Sequence, residues 1–75
     1  MRGKASLKIL GERIRDARKQ KNLSQEELAF EAGIDRSYMG GVERGQRNPS
    51  FKALCMIAKA VKTDVGSLTK GLPID

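Results

Sequence analysis

The strongest local signals in the chain lie in residues 23–45, which have the sequence LSQEELAFEAGIDRSYMGGVERG. Ser24 and Glu27 have the spacing of a capping box, in which each side chain accepts a hydrogen bond from the other residue's backbone amide. A helix is therefore predicted to begin at Gln25. Gly33 lies where a left-handed residue can end this helix, because glycine adopts that conformation without a steric penalty.

A second short helix is predicted after this turn. Asp35 can cap its amino end, and we expect it to run from Arg36 to about Arg44. Ala29 lies where the two helices cross, and its small side chain allows a close approach. The buried stripe of the second helix is expected to be Met39 and Val42. Residues 24–45 thus predict a helix-turn-helix, a shape whose second helix can enter the major groove of DNA.

Apolar residues at helical spacing predict three further helices. The first is expected from Ser6 to Lys21, a fourth after a cap at Ser50, and a short fifth after a cap at Asp64. Their apolar stripes are Leu7, Leu10, Ile14 and Ala17 in the first, Phe51, Leu54, Ile57, Ala58 and Val61 in the fourth, and Val65 and Leu68 in the fifth. With no strand pattern, repeat or linker, residues 1–75 are predicted to form one all-α domain of five helices.

The net charge indicates a partner rich in phosphate, although a soluble basic domain without such a partner is the alternative. With 15 Lys and Arg against 9 Asp and Glu, the chain carries +6 at pH 7. Residues 1–21 carry +6, residues 22–46 carry −3 and residues 47–75 carry +3. Because the helix-turn-helix is not basic on average, affinity for DNA has to come from flanking helices, helix amino termini and a few placed cations. These cations are Arg36, Arg44 and Arg47.

Composition argues against other functional classes. The chain has no histidine and one cysteine, Cys55, so it lacks the commonest general base and metal ligand and has no internal disulfide. Cys55 lies among apolar residues and is interpreted as a core thiol. We expect no catalytic site, no metal or other cofactor and no small-molecule ligand. Without a membrane-spanning apolar run or a signal peptide, the expected location is cytoplasmic, away from the membrane.

Several segments resemble the Xre family of helix-turn-helix repressors, whose relatives include the lambdoid phage repressors and Cro. They are Ser24-Gln-Glu-Glu-Leu-Ala, Ala32-Gly-Ile, Ser37-Tyr and Val42-Glu-Arg-Gly-Gln-Arg-Asn-Pro49, and the likeness covers about residues 7–70. The short chain most resembles the controller proteins of restriction-modification systems, which often carry a similar Asp-Arg-(Ser/Thr)-Tyr sequence. The resemblance implies a lambda-repressor-like fold and a transcriptional regulator.

The resemblance also implies roles for individual residues. Gln25 matches a glutamine that touches a phosphate and supports the second helix of the motif. Arg36 matches a position that faces base edges, where a guanidinium can bond guanine O6 and N7, although a phosphate contact is the alternative. Tyr38 either donates its hydroxyl to the backbone or packs on the scaffold. The expected DNA-binding set is Ser24, Gln25, Arg36, Ser37, Tyr38, Gly41, Arg44, Arg47 and Asn48.

A structural set is implied as well, consisting of Arg18, Glu43, Ala29 and Gly33. Arg18 and Glu43 match a partly buried ion pair that ties the first helix to the end of the third. Its expected role is orientation, since a buried pair gains little net energy after desolvation. Gly40 and Gly41 depart from the family, because larger residues usually stand there. Each glycine costs ~1 kcal/mol relative to alanine in a helix interior. Because Gly41 has no side chain, the second half of the groove-facing surface lacks a reader, that is, a side chain that can contact base edges.

An apolar carboxy-terminal segment predicts a two-fold dimer. The residues expected at its interface are Val65, Leu68, Leu72 and Ile74, with the amino end of the fourth helix nearby. Exposed apolar residues often mark interfaces. A symmetric dimer would present two recognition helices to half-sites about one helical turn apart, or a multiple of it. The alternative is that Val65 and Leu68 only complete the core of the monomer.

Three functional hypotheses follow. The leading one is a sequence-specific transcriptional regulator that binds double-stranded DNA as a homodimer at a two-fold operator and, by resemblance, acts on its own promoter. The alternative is an antitoxin-like module that mainly binds a partner protein, with DNA binding secondary. An enzyme is the least supported, because no nucleophile and base are clustered. The sequence leaves the operator and the direction of regulation open.

Overall fold

A computed structural model describes residues 4–75, and residues 1–3 of the predicted domain lie outside that range. The described residues form five α-helices and no strand, which confirms the predicted fold class. The helices are α1 (Lys4–Gln20), α2 (Gln25–Ala32), α3 (Arg36–Glu43), α4 (Phe51–Ala60) and α5 (Val65–Thr69). Over the same residues, none of the helices has the length and apolar character needed to cross a membrane.

The predicted helix caps are present. Ser24 Oγ accepts from the Glu27 amide at 3.0 Å, and Glu27 Oε1 accepts from the Ser24 amide at 2.7 Å. Gly33 ends α2 with φ of 70°, in the left-handed region. The caps of the later helices have the same chemistry, since a side-chain oxygen of Asp35, Ser50 or Asp64 accepts from the amide three residues on.

The core draws on all five helices. Its buried apolar residues are Leu10, Ile14, Leu28, Ala29, Ala32, Met39, Val42, Leu54, Ile57, Ala58, Val61 and Leu68. The prediction that Phe51 belongs to the core is wrong, because this residue is 73% exposed. It is the first residue of α4 and extends past the packed part of that helix, whereas Leu54, one turn further on, is covered. Cys55 is half-buried and not fully enclosed in the core.

The carboxy-terminal segment also differs from the prediction. Leu68 is only 3% exposed, so its assignment to a dimer interface is wrong. The reason is that α5 packs against both α1 and α4 and closes the core between them. Val65 and Leu72 are partly buried against this core, while Ile74 is fully exposed.

The crossing of α1 and α3 depends on Gly11, a glycine that no sequence pattern indicated. A Cβ atom on Gly11 would lie 2.6 Å from the carbonyl oxygen of Val42 and closer still to that of Glu43. Both obstacles are backbone atoms, so a larger residue could fit only if the helices moved apart. Gly45, just after α3, has φ of +76°, and its Cβ would lie 2.8 Å from Lys8 Cα. These two glycines seat α3 directly on α1.

Candidate nucleic-acid interface

A shallow concavity lies between the amino end of α2 and the exposed side of α3. It is lined by Gln25, Asp35, Arg36, Ser37, Gly40 and Arg44. The fold therefore brings together several residues of the predicted DNA-binding set. Arg36 and Ser37 are exposed at the first turn of α3. Asp35 is held at the cap, because its carboxylate accepts from the Tyr38 amide at 3.1 Å.

Behind this concavity, the carboxylate of Glu43 joins three helices. Arg18 Nε donates to Glu43 Oε2 at 2.7 Å and Arg18 Nη2 donates to Oε1 at 3.0 Å, so the predicted pair is present and bidentate. Gln25 Nε2 donates to the same Oε1 at 3.1 Å. Arg15 Nη2 adds a bond of 3.3 Å to the Glu43 carbonyl oxygen. Glu43 is 2% exposed, and these donors satisfy its charge.

Two of these contacts were missed from the sequence. They are the bonds that Arg15 and Gln25 donate to Glu43. The one available signal was helical spacing, since Arg15 and Arg18 are three residues apart and so lie on the same side of α1. Their shared target is 25 or more residues away along the chain, and only the packing of α1 on α3 shows it.

The end of α3 is covered by its own following residues. Arg44, which caps α3, donates from Nε to Gln46 Oε1 at 3.0 Å. Its guanidinium folds back over Gly40, where a Cβ would lie 2.9 Å from Arg44 Nη1. Arg44 is nevertheless exposed at the edge of the concavity, so its charge stays accessible.

Gly41 is placed differently from the prediction. It is buried, and a Cβ there would lie 2.6 Å from Arg47 Cγ, so Gly41 is not a bare position facing bases. The physical reason is a reversal of the chain after α3, in which the amides of Gln46 and Arg47 both donate to the Gly41 carbonyl, at 2.8 and 3.2 Å. The reversal lays Arg47 across the helix.

Tyr38 packs on the scaffold, as one of its two predicted roles requires, but its hydroxyl bonds the backbone as an acceptor and not as the predicted donor. Its ring packs partly against the core, and its hydroxyl accepts from the Ser50 amide at 3.2 Å, so the backbone is the donor in this bond. The guanidinium carbon of Arg47 lies 5.5 Å from the centroid of the ring, within cation–π range. Ser24 and Asn48 are both exposed, but the Ser24 hydroxyl is engaged in its cap.

The fold and this surface define a helix-turn-helix regulator of the DNA-binding class. Residues 14–68 match the helix-turn-helix family, and the chain belongs to this family. The matched range contains the cap of α2, the concavity and the core residue Leu68 of α5. The resemblance to Xre-type repressors inferred from the sequence is thereby confirmed.

Individual relatives are similar to this chain over most of its length. The control protein C.SmaI of Serratia marcescens is 47% identical over 60 residues, which make up 80% of this chain and 71% of that protein. The restriction-modification controller protein C.AhdI of Aeromonas hydrophila has 50% identity and a TM-score of 0.83, with 85% of this chain and 97% of that one covered. SinR, a master regulator for biofilm formation, was solved in complex with DNA. It has 37% identity and a TM-score of 0.76, with 79% of this chain and 95% of that one covered.

Proposed function

We propose that this transcriptional regulator binds double-stranded DNA as a homodimer at a two-fold operator, and that its own promoter carries such a site. The observation that carries the proposal is the exposed first turn of α3, where Arg36 and Ser37 stand beside the amino end of α2. This is the end of a recognition helix that contacts base edges in a helix-turn-helix.

Arg36 is the proposed base reader. Its guanidinium is exposed and forms no ion pair within residues 4–75, so its donors are available to a ligand. A planar guanidinium can bond guanine O6 and N7 simultaneously, which distinguishes guanine from the other bases. Ser37 can bond either a base or a phosphate, and by itself it specifies little.

Phosphate contacts are proposed around this reader. Gln25 uses one amide hydrogen for Glu43, and its second amide hydrogen remains for a phosphate oxygen. Arg44 and Asn48 are exposed on either side of the chain reversal. The amides at the amino end of α2 that its serine cap leaves unpaired favour an anion as well. Such contacts set the position of the protein on the duplex, while base contacts set the sequence.

The proposed dimer surface is smaller than the sequence suggested. Leu68 belongs to the monomer core, which leaves Ile74, fully exposed, and the partly buried Val65 and Leu72. Phe51, 73% exposed at the amino end of α4, adds a large apolar side chain that the monomer does not cover. A two-fold contact would cover such residues and double the recognition surface.

Selection of bound sequences from random duplexes at fixed salt tests the proposal. The expected result is enrichment of a two-fold symmetric sequence that also occurs upstream of the gene, with protection of that site in a footprint. Arg36→Ala should lose the preference at one base pair of each half-site while circular dichroism shows an unchanged helix content. Binding without any sequence preference, or enrichment of a site without symmetry, would contradict the proposal.

The similarity to C.SmaI and C.AhdI supports a narrower role, that of a controller of a restriction-modification system. Under this proposal, the selected operator should lie upstream of genes for a nuclease or a methyltransferase as well as upstream of the regulator. A reporter fused to each promoter, with and without the protein, gives the direction of regulation. An operator present only at unrelated genes would exclude the controller role and leave DNA-binding regulation intact.

A further inference from the structure

Two adjacent glycines in the recognition helix require a reason. Glycine lowers helix stability relative to alanine because it loses more backbone entropy on folding. Neither Gly40 nor Gly41 is among the glycines with positive φ, so their backbone conformation is open to any residue. The reason therefore has to be the space beside the helix.

The space beside Gly41 is filled by a side chain from outside α3. A Cβ on Gly41 would lie 2.6 Å from Arg47 Cγ and 3.5 Å from both Cβ and Cδ of Arg47. The aliphatic stem of Arg47 thus occupies the position where the side chain of residue 41 would begin. The backbone holds it there, because the amides of Gln46 and Arg47 both bond the Gly41 carbonyl.

The charged end of Arg47 is also held. Its guanidinium carbon lies 5.5 Å from the centroid of the Tyr38 ring, and Tyr38 is fixed at its far end by the amide of Ser50, 3.2 Å from the hydroxyl. Within residues 4–75, Arg47 forms no ion pair, and the residue is exposed. An arginine that stacks through its face keeps its N–H groups, which lie at the edge, for another partner.

We infer that Gly41 is a specificity-determining residue through its missing side chain. The missing side chain leaves a slot beside α3, which the loop residue Arg47, stacked on Tyr38, fills. Arg47 thereby occupies the half of the recognition surface where α3 has no base-contacting side chain of its own, and there it contacts a base edge. This inference rests on the proposed recognition of duplex DNA. It assigns Gly41 a positioning role and Arg47 the contact.

The inference is tested by a double-variant comparison on the selected operator and a scrambled duplex of equal length, both at one salt concentration. Gly41→Ala and Arg47→Ala should each lower the ratio of specific to nonspecific affinity at least fivefold, the smallest effect of a good base contact. The double variant should equal Arg47→Ala alone, because Gly41 acts only through Arg47. Tyr38→Leu should lower the ratio in the same direction.

Sequence selection with each variant adds a readout that a general loss of folding would not give. Gly41→Ala and Arg47→Ala should lose preference at the same base pair of each half-site, and Arg36→Ala should lose it at a different one. In thermal melts, Gly41→Ala should raise the melting temperature only in the Arg47→Ala background, where the slot is empty. If Gly41→Ala alone fails to fold, Tyr38→Leu and Arg47→Ala must still share the affected base pair.

The outcomes separate this inference from the proposed function. Loss of preference at different base pairs, or a full additional loss from Gly41→Ala when Arg47 is already absent, would overturn it while DNA recognition stands. A wild-type protein without any sequence preference would instead remove the proposed function and the inference with it.

Discussion

Arg18 and Glu43 form a bidentate ion pair between α1 and α3, with Arg18 Nε 2.7 Å from Glu43 Oε2. The side chains of Arg18 and Glu43 are 12% and 1% exposed, so solvent screens the attraction between their charges only weakly. Glu43 is the last residue of α3, and Gln25, the first residue of α2, donates to the same carboxylate. The ion pair thus connects the scaffold to the proposed phosphate-binding side chain.

Arg18→Met should lower the free energy of unfolding by ~3 kcal/mol, because removing one partner leaves a buried charge incompletely paired. Urea denaturation measures the change. Lys19→Met, which removes the same charge from an exposed neighbour, should change stability much less. The double variant Arg18→Met, Glu43→Leu replaces both charges with apolar side chains, and it should recover part of the lost free energy of unfolding. Equal losses for Arg18→Met and Lys19→Met would show that the pair has no special contribution.

Gly11→Ala should destabilise the fold by ~1–3 kcal/mol, the usual range for overpacking. The new Cβ would meet the carbonyl oxygens of Val42 and Glu43, which belong to the helix backbone and cannot rotate away. Thermal and urea unfolding provide the measurement, with Glu12→Ala as the exposed control on the same helix. A Gly11→Ala variant as stable as the wild type would mean that α1 and α3 are not in such close contact.

Lys62→Gly should stabilise the protein by up to ~1 kcal/mol, because Lys62 has φ of 60° and glycine adopts the left-handed region without strain. The matched control is Lys59→Gly inside α4, where the same substitution should destabilise by a similar amount. The melting temperature is expected to rise for Lys62→Gly and to fall for Lys59→Gly. A loss at both positions would contradict the left-handed conformation of Lys62.

Arg36→Ala should reduce affinity for the operator at least fivefold, corresponding to the ~1 kcal/mol lower bound for a bidentate base contact, and should leave nonspecific affinity nearly unchanged. Titrations of operator and scrambled duplex at one salt concentration give both values. The control is Lys59→Ala, which removes one charge from an exposed position on α4. Lys59 does not line the concavity that contains Arg36. Equal reductions on both duplexes would assign Arg36 to a phosphate.

Ile74→Asp should weaken the proposed dimer without unfolding the monomer, because Ile74 is fully exposed. Sedimentation at micromolar concentration should show dimers for the wild type and monomers for the variant, with unchanged circular dichroism. Leu68→Asp should unfold the chain instead, since Leu68 is in the core. A wild type that stays monomeric even with operator DNA present would rule out the dimer.

The sequence by itself determined the five helices and the caps of α2 and α3. The capping box of Ser24 and Glu27, the left-handed turn at Gly33 and the cap at Asp35 involve residues at most three positions apart, and all are present. Such interactions are formed within one turn of the chain, so the identity of the neighbours is sufficient to predict them. The periodic apolar stripes placed most of the core for the same reason.

Only the tertiary structure decided which residues the helices cover and which they bring together. Phe51 and Leu68 have the same apolar character, yet Phe51 extends past the packed part of α4 while α5 buries Leu68 between α1 and α4. The close approach at Gly11 and the position of Arg47 over Gly41 also depend on how the chain folds back on itself. Helical periodicity contains no information about the distance between two helices or the path of the loop that joins them, so these features follow from packing alone.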